Sequence, residues 1–316
     1  MLTNARRLKI VIPGGSGQVG TLLARSFHEE GHEVVVLSRS PGEAPWRVAA
    51  WNAGEIDGSD VVINLAGRSV NCRYNARNRR EILESRVDST WTVGQAIARS
   101  ARPPKVWLQA GTATIYAHRF DAPNDEATGI IDGSQPGVPE KWRFSVDVAR
   151  AWERALADAP TPRTRKVMLR AAMVMSPDPG GVFDILLGLV RRGLGGKAGD
   201  GRQYISWIHE VDFVRIVRWL IGREDLEGPI NLTTPNPLPN AEFMKVLREA
   251  WGTPIGLPAT RPMLEVGGLL LKTESELILK SRRVIPGRLL ESGFRFQFPT
   301  WRGAASDLVR RWLLSR

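Results

Sequence analysis

A helix can build a proton donor by setting a tyrosine four residues before a lysine, so that the ammonium sits beside the phenol and lowers its pKa. The chain has three tyrosines, Tyr74, Tyr116 and Tyr204, and the residues four places on are Asn78, Phe120 and Ile208. No Tyr-x-x-x-Lys exists anywhere in the sequence. The stretch WRFSVDVARAWE instead places Phe144, Val148, Trp152 and Leu156 at that spacing, an apolar stripe on one helix face. Metal chemistry has equally little to draw on. His28, His32, His118 and His209 show no ligand spacing, and Cys72 has no second cysteine beside it, so no metal site is expected. A single cysteine also precludes an intrachain disulfide and suits a reducing compartment.

A different chemistry is encoded near the start. An apolar strand, LKIVI at 8–12, runs into PGGSGQVG at 13–20 and then into TLLARSFHEEGH, whose apolar spacing is helical. Gly14, Gly17 and Gly20 form GxxGxxG in strand-loop-helix context. Glycines there let backbone approach a pyrophosphate, and the helix N-terminus supplies N–H donors and partial positive charge. The loop residues expected against a dinucleotide are Gly14, Ser16, Gly17, Gln18, Val19 and Gly20. A second buried strand in GHEVVVLSRS ends at Ser38 and Arg39, about 20 residues beyond the loop, where an NAD site would carry an acid for the ribose hydroxyls. Arginine at that place favours a 2'-phosphate, and NADP(H) is the expected cofactor.

The elements that position these residues follow an alternating pattern. SDVVINLAG (59–67), KVWLQAGTATIY (105–116) and KVMLRAAMVM (166–175) read as strands, with helical segments such as 79–100 between them. This predicts an α/β fold, a doubly wound parallel sheet of the Rossmann type with sites at the carboxyl ends of its strands, and a smaller, partly interleaved C-terminal substrate lobe. The expected division is a dinucleotide-binding core over 1–176, with 203–236 returning to it, and a lobe formed by 177–202 and 237–316. In the lobe, EFMKVLREAW reads as a helix. Leu264, Gly267, Gly268 and Leu271 form a stripe that reads as a packed helix rather than a membrane segment, since KTESE follows at once. Trp207, Trp251 and Trp301 are expected in the core or at a lobe interface. The opening apolar run is too short for a signal peptide and no 18-residue apolar stretch exists, so a soluble, cytoplasmic protein with no membrane partner is expected.

A net charge of +11 invites a nucleic-acid reading. The basic residues are spread among acids, however, and no recognition helix, zinc finger or RNP-type signature accompanies them, so no nucleic-acid partner is expected. The densest cluster, Arg68 to Arg86, has two readings: a solvated helix face, or contacts to phosphates of a cofactor or an anionic substrate.

With these pieces in place the chain resembles the YfcH-like proteins, an atypical branch of the extended short-chain dehydrogenase/reductase superfamily, often labelled NAD(P)-dependent nucleoside-diphosphate-sugar epimerases. The resemblance rests on GGSGQVG, INLAG, LESRVDST, TATIY, ARAWE, LRAAMV, LGGKAGDGRQYISWIHEVD, GPINLTTPNPLPNAEF and SRRVIPGRLLESGFRF. It implies that Asn64, Leu65, Ala66 and Gly67 form the strand end beside the adenosine ribose and pyrophosphate, that Thr112 stands where a catalytic Ser or Thr bonds the reacting oxygen, and that Leu169 to Val174 pass the nicotinamide. Pro13 departs from the pattern, since relatives commonly carry Thr, which removes a hydroxyl and a backbone donor from the loop edge. Counting back from Ala151-Trp152-Glu153 puts Phe144 at the catalytic tyrosine place and Val148 at the lysine place.

The implied function is an NADP(H)-binding, epimerase-like enzyme or oxidoreductase acting on a carbonyl or alcohol. Its expected partner is a small-molecule substrate such as a sugar nucleotide, and it would be a monomer or homodimer. The alternative is an NADP(H)-binding sensor or scaffold without turnover. Substitute proton donors are Tyr116, Tyr204 and His209. Each also has a structural reading: Tyr116 as a packing residue, Tyr204 as a strand residue with its hydroxyl at the rim, and His209 as a turn residue before Asp212 caps a helix.

Overall fold

The computed structural model describes residues 6–40, 42–135, 138–260, 263, 274 and 276–316; the stripe Leu264, Gly267, Gly268 and Leu271 lies outside them. In chain order the main elements are β1 (Lys9–Pro13), α1 (Gln18–Glu29), β2 (Glu33–Leu37), β3 (Arg47–Ala49), β4 (Val61–Asn64), α2 (Ala76–Arg99), β5 (Val106–Thr112), α3 (Arg143–Asp158), β6 (Arg165–Ala171) and β7 (Met173–Met175). There follow α4 (Val182–Arg191), β8 (Tyr204–Ile205), β9 (Trp207–His209), α5 (Glu210–Gly222), β10 (Gly228–Leu232), β11 (Leu238–Pro239), α6 (Asn240–Trp251), α7 (Glu276–Leu279), α8 (Gly287–Glu291) and α9 (Trp301–Leu314).

Seven strands form one parallel sheet in the order β3-β2-β1-β4-β5-β6-β10. The central strands are continuous runs of buried Val, Ile and Leu because helices cover both faces of the sheet. On one face Leu23 and Phe27 of α1 and Phe213, Val217 and Leu220 of α5 pack against Ile10, Ile12 and Ile63; on the other, Val93 and Ile97 of α2 and Leu156 of α3 meet Val11, Val35 and Trp107. The strand order reverses between β1 and β4, and an open α/β sheet offers a crevice for ligands at such a switch point.

The stretch expected as one strand over 166–175 divides. After Ala171 the Ala172 amide donates to Leu232 O, and the chain then leaves the large sheet so that β7 pairs with β9 in a separate ribbon. A second hydrophobic cluster begins there. Met175, Phe183, Leu187, Trp207, Phe243, Leu247, Trp301, Leu308 and Trp312 bury one another, with the Trp301 ring stacked on Phe243 at 4.0 Å and its indole N–H donating to Phe243 O. Residues 183–190, 243–247 and 301–312 thus share a core outside the sheet, while Leu289 and Phe294 pack into the sheet's own core and β10 returns to pair with β6. No helix among the described residues is long and apolar enough to cross a membrane.

Candidate active site

The glycine loop is built almost wholly from backbone. Gly14 has φ +73°, and a Cβ there would lie 2.4 Å from Ala66 Cα, so only glycine lets the loop after β1 touch the turn after β4. Gly20 is equally constrained, its missing Cβ falling 2.4 Å from Gly15 Cα. Gly17 differs: it caps the N-terminus of α1 and a Cβ would meet nothing within 4 Å, so the space in front of the helix is open. Pro13 does not disturb this edge, because it completes β1 and its carbonyl accepts from the Leu65 amide. The Ser38 hydroxyl donates to Ser16 at 3.2 Å, which joins the end of β2 to the loop. Arg39 next to it is exposed and makes no hydrogen bond or ion pair among the described residues.

Asn64 is fully buried. Its amide donates to Gln109 and its carbonyl accepts from the Ala66 amide, so this side chain shapes the β4 turn from within, while Leu65 faces the cleft. Gly67 lies against Arg86, whose guanidinium donates to Arg68 O and Ile82 O and stands 5.0 Å from the Trp152 ring. The basic cluster therefore splits: Arg86 is half-buried in the cleft wall, Arg68 pairs with Glu81 and Asn78, and Arg77 pairs with Glu81 at the surface.

A cleft of about 400 Å³ runs from Gln18, Val19 and Leu65 past the ends of β5 and β6 to α3. Thr112, Leu169, Ala171, Ala172 and Val174 line it, and so do Phe144 and Val148. The Thr112 side chain caps the turn Ala113–Ile115, accepting from the Thr114 amide at 3.1 Å, and its own hydroxyl proton is left available to the cleft. Gln18 Nε2 is buried here without a hydrogen-bond partner. An orphaned donor, an open helix N-terminus and a free arginine at the end of β2 fit a phosphate-bearing dinucleotide.

The three substitute donors lie elsewhere. Tyr116 is buried; its hydroxyl donates to Asn231 at 3.0 Å and accepts from Arg170 at 2.7 Å, and Arg170 forms a bidentate pair with Glu153. Tyr116 therefore ties β6 to β10 behind the cleft wall. His209 caps α5, its Nδ1 accepting from the Val211 amide while Nε2 faces Asp307, and its ring stacks on Phe298. The histidine itself, rather than Asp212, is the cap. Tyr204 pairs with Pro239 across β8 and β11, with the Arg283 guanidinium over its ring, and is not among the residues lining the cleft.

The tyrosine in the cleft is Tyr74, on the segment before α2, and its ring packs edge-on against Phe144 at 5.2 Å. The Ser145 side chain lies beside the Tyr74 phenol, and its hydroxyl donates to Glu276 Oε2 at 2.7 Å. Burial, with Glu276 nearby, pushes the Tyr74 phenol up to about 12. Burial also raises the Glu276 carboxyl and lowers the Lys280 ammonium to about 8. Lys280 Nζ lies 3.8 Å from Glu276 and donates to Thr114 O, and Arg282 donates to the Thr114 hydroxyl, so residues near the C-terminus buttress the turn that holds Thr112. No spacing could have joined these positions, since Ser145 and Glu276 are 131 residues apart.

The model of the NAD dependent epimerase/dehydratase family matches residues 10–232, more than two thirds of the chain. The chain belongs to that family. A second match, to a domain of unknown function designated DUF1731, covers residues 260–308, so Glu276, Lys280 and Arg282 come from the appended segment of this family member. The epimerase family protein SDR39U1 of Mus musculus is 31% identical over 309 residues, covering 96% of this chain and all of the relative. The crystal structure of human epimerase family protein SDR39U1 (isoform 2) with NADPH superposes with a TM-score of 0.83 at 27% identity, covering 96% of this chain and 99% of that one. A nucleoside-diphosphate sugar epimerase from Corynebacterium glutamicum gives a TM-score of 0.73 at 28% identity over 95% of this chain and 57% of that protein. The extended short-chain dehydrogenase fold expected from the sequence is the fold of this family member.

Proposed function

We propose that this family member is an NADP(H)-dependent oxidoreductase of the YfcH-like branch acting on a carbonyl or alcohol, in which Phe144 and Val148 occupy the places of the usual tyrosine and lysine. The observation that carries the reading is the continuity of the cleft from the glycine loop to α3, with Thr112 and Phe144 lining the same space. The amides of Gly17 and Gln18 at the start of α1 would hold the pyrophosphate, Gln18 Nε2 would gain a partner, and Arg39 would face the 2'-phosphate. The bound cofactor supplies a hydride. The chain's residues orient the acceptor: Thr112 directs its hydroxyl proton to the reacting oxygen, and Phe144, Val148 and Trp152 exclude water from one side.

The substrate end of the cleft, with Val70, Phe144, Val148, Val182 and Leu277, suits a compact carbonyl compound with an apolar body. A nucleoside diphosphate would find Arg86 there, already committed to two carbonyls. Calorimetric titration with NADPH and NADH, followed by NADPH consumption with phenanthrenequinone as an apolar diketone probe, tests the reading. Tighter NADPH binding and turnover above the uncatalysed rate are expected. Equal affinities would sink the cofactor preference, and tight NADPH binding with no consumption across a panel of carbonyl probes would favour a sensor.

A further inference from the structure

We propose that Tyr74, linked through Ser145 to Glu276, gives the proton to the substrate oxygen in place of the phenol that Phe144 lacks; this rests on the oxidoreductase reading above. The ring of Tyr74 lies edge-on against the ring of Phe144 at 5.2 Å, so a phenol is present beside the usual place but is delivered by the segment before α2 instead of by α3. Its backbone amide donates to Glu274 at 2.8 Å, which anchors that segment to the C-terminal block.

Behind the phenol the polar groups form a line. The Tyr74 hydroxyl meets Ser145, Ser145 Oγ donates to Glu276 Oε2, and Glu276 Oε1 is buried with no hydrogen-bond partner, 3.8 Å from Lys280 Nζ. A buried carboxyl with one oxygen unsatisfied is costly for packing alone. Protonated, it is a proton store; ionised, it is held by Lys280. As hydride adds to the carbonyl carbon, the π electron pair moves to the oxygen, which takes the Tyr74 proton. Ser145 then turns its hydroxyl from Glu276 to the phenolate and gives it that proton, taking the acid proton of Glu276 in return, which leaves a carboxylate opposite the Lys280 ammonium. Water restores the Glu276 proton after the alcohol leaves.

Cys72, Arg86 and Arg282 also lie near the Tyr74 phenol, and Arg79 Nε donates to the Tyr74 carbonyl at 2.8 Å. Burial beside Glu276 keeps the phenol protonated near neutrality, and it gives up its proton only to a strong base such as the alkoxide that forms as hydride arrives.

The test uses the full-length protein, its Tyr74→Phe, Ser145→Ala and Glu276→Gln variants, NADPH calorimetry, phenanthrenequinone reduction, and fluorine NMR of fluorotyrosine-labelled protein. Tyr74→Phe should keep NADPH affinity and lose roughly 100 to 10,000-fold in kcat, with smaller losses for the other two. The fluorine resonance missing in Tyr74→Phe should shift in both Ser145→Ala and Glu276→Gln. Unimpaired turnover by Tyr74→Phe overturns the proposal, and so does a Tyr74 resonance indifferent to both substitutions. Failure of the wild-type protein to bind NADPH would overturn the oxidoreductase reading instead, and the fluorine shifts would still decide whether the hydrogen-bonded line exists.

Discussion

The two ends of the cleft are made in opposite ways. The cofactor end is backbone: three glycines, a helix N-terminus and the turn after β4, all within the first 70 residues and held by close main-chain approach. The substrate end is side chain: Tyr74, Phe144, Ser145, Leu277 and, behind them, Glu276, gathered from three distant parts of the sequence. The first end tolerates little change in shape and is indifferent to most side chains. The second can change its chemistry by substitution as long as the scaffold below it stays rigid.

That contrast is broken most severely by attacking the scaffold under the substrate end. Arg170 is almost fully buried and is neutralised by the two carboxylate oxygens of Glu153, both at 2.7 Å. Glu153→Ala leaves the guanidinium without its counter-charge and should cost about 3–5 kcal/mol, read as a lower midpoint in urea unfolding. If the loss is below about 1 kcal/mol, the Glu153–Arg170–Tyr116 network is not what stiffens β6.

The next effect concerns pH. Burial pushes the His209 imidazole down to about 4, against the opposing pull of Asp307. An unfolded histidine binds its proton near 6.5, so between those values the unfolded chain takes up a proton that the folded one refuses. The stability contributed by neutral His209 is complete above about pH 6.5 and is lost as pH falls toward 4, on the order of 3 kcal/mol in all. His209→Asn, which keeps a cap acceptor, should flatten the fall in melting temperature across that window. A variant curve parallel to wild type would remove His209 from the account.

At the cofactor end, Gly14→Ala places a Cβ against Ala66 in a left-handed backbone and should cost roughly 1–3 kcal/mol. NADPH affinity should fall with stability, because both depend on the same close approach. Stability falling alone would mean that the loop can shift without disturbing its ligand. The smallest effect sharpens the comparison: Arg39→Asp, an exposed side chain, should leave the fold intact and shift the preference from NADPH toward NADH by roughly tenfold, about 1.4 kcal/mol. Calorimetry with both cofactors reads it, and an unchanged ratio would take the 2'-phosphate away from Arg39.

The same asymmetry governs what could be read from the sequence. The parallel sheet and the glycine loop were legible because each is a local pattern: buried apolar runs between amphipathic helices, and glycines in strand-loop-helix order. The apolar stripe of α3 was legible for the same reason. The partners of Tyr116 and His209 were not, because a hydroxyl between Arg170 and Asn231 or a ring stacked on Phe298 depends on side chains that only folding brings together. The residue four places beyond Tyr74, Asn78, says nothing of its surroundings, because its neighbours come from α3 and the C-terminal block. Hydrophobicity does not record the change of sheet after Ala171, so 166–175 reads as one strand where the structure has two.

The bond from the Tyr74 amide to Glu274 spans 200 residues of sequence. A ribosome making this chain will have delivered the whole seven-stranded sheet, through β10, well before that carboxylate leaves the exit tunnel. The nascent protein would thus pass through a stage in which the sheet is complete but Leu277 and the polar groups behind the cleft wall have yet to arrive, and a message cut short after residue 260 would yield a chain without Glu276 and Lys280.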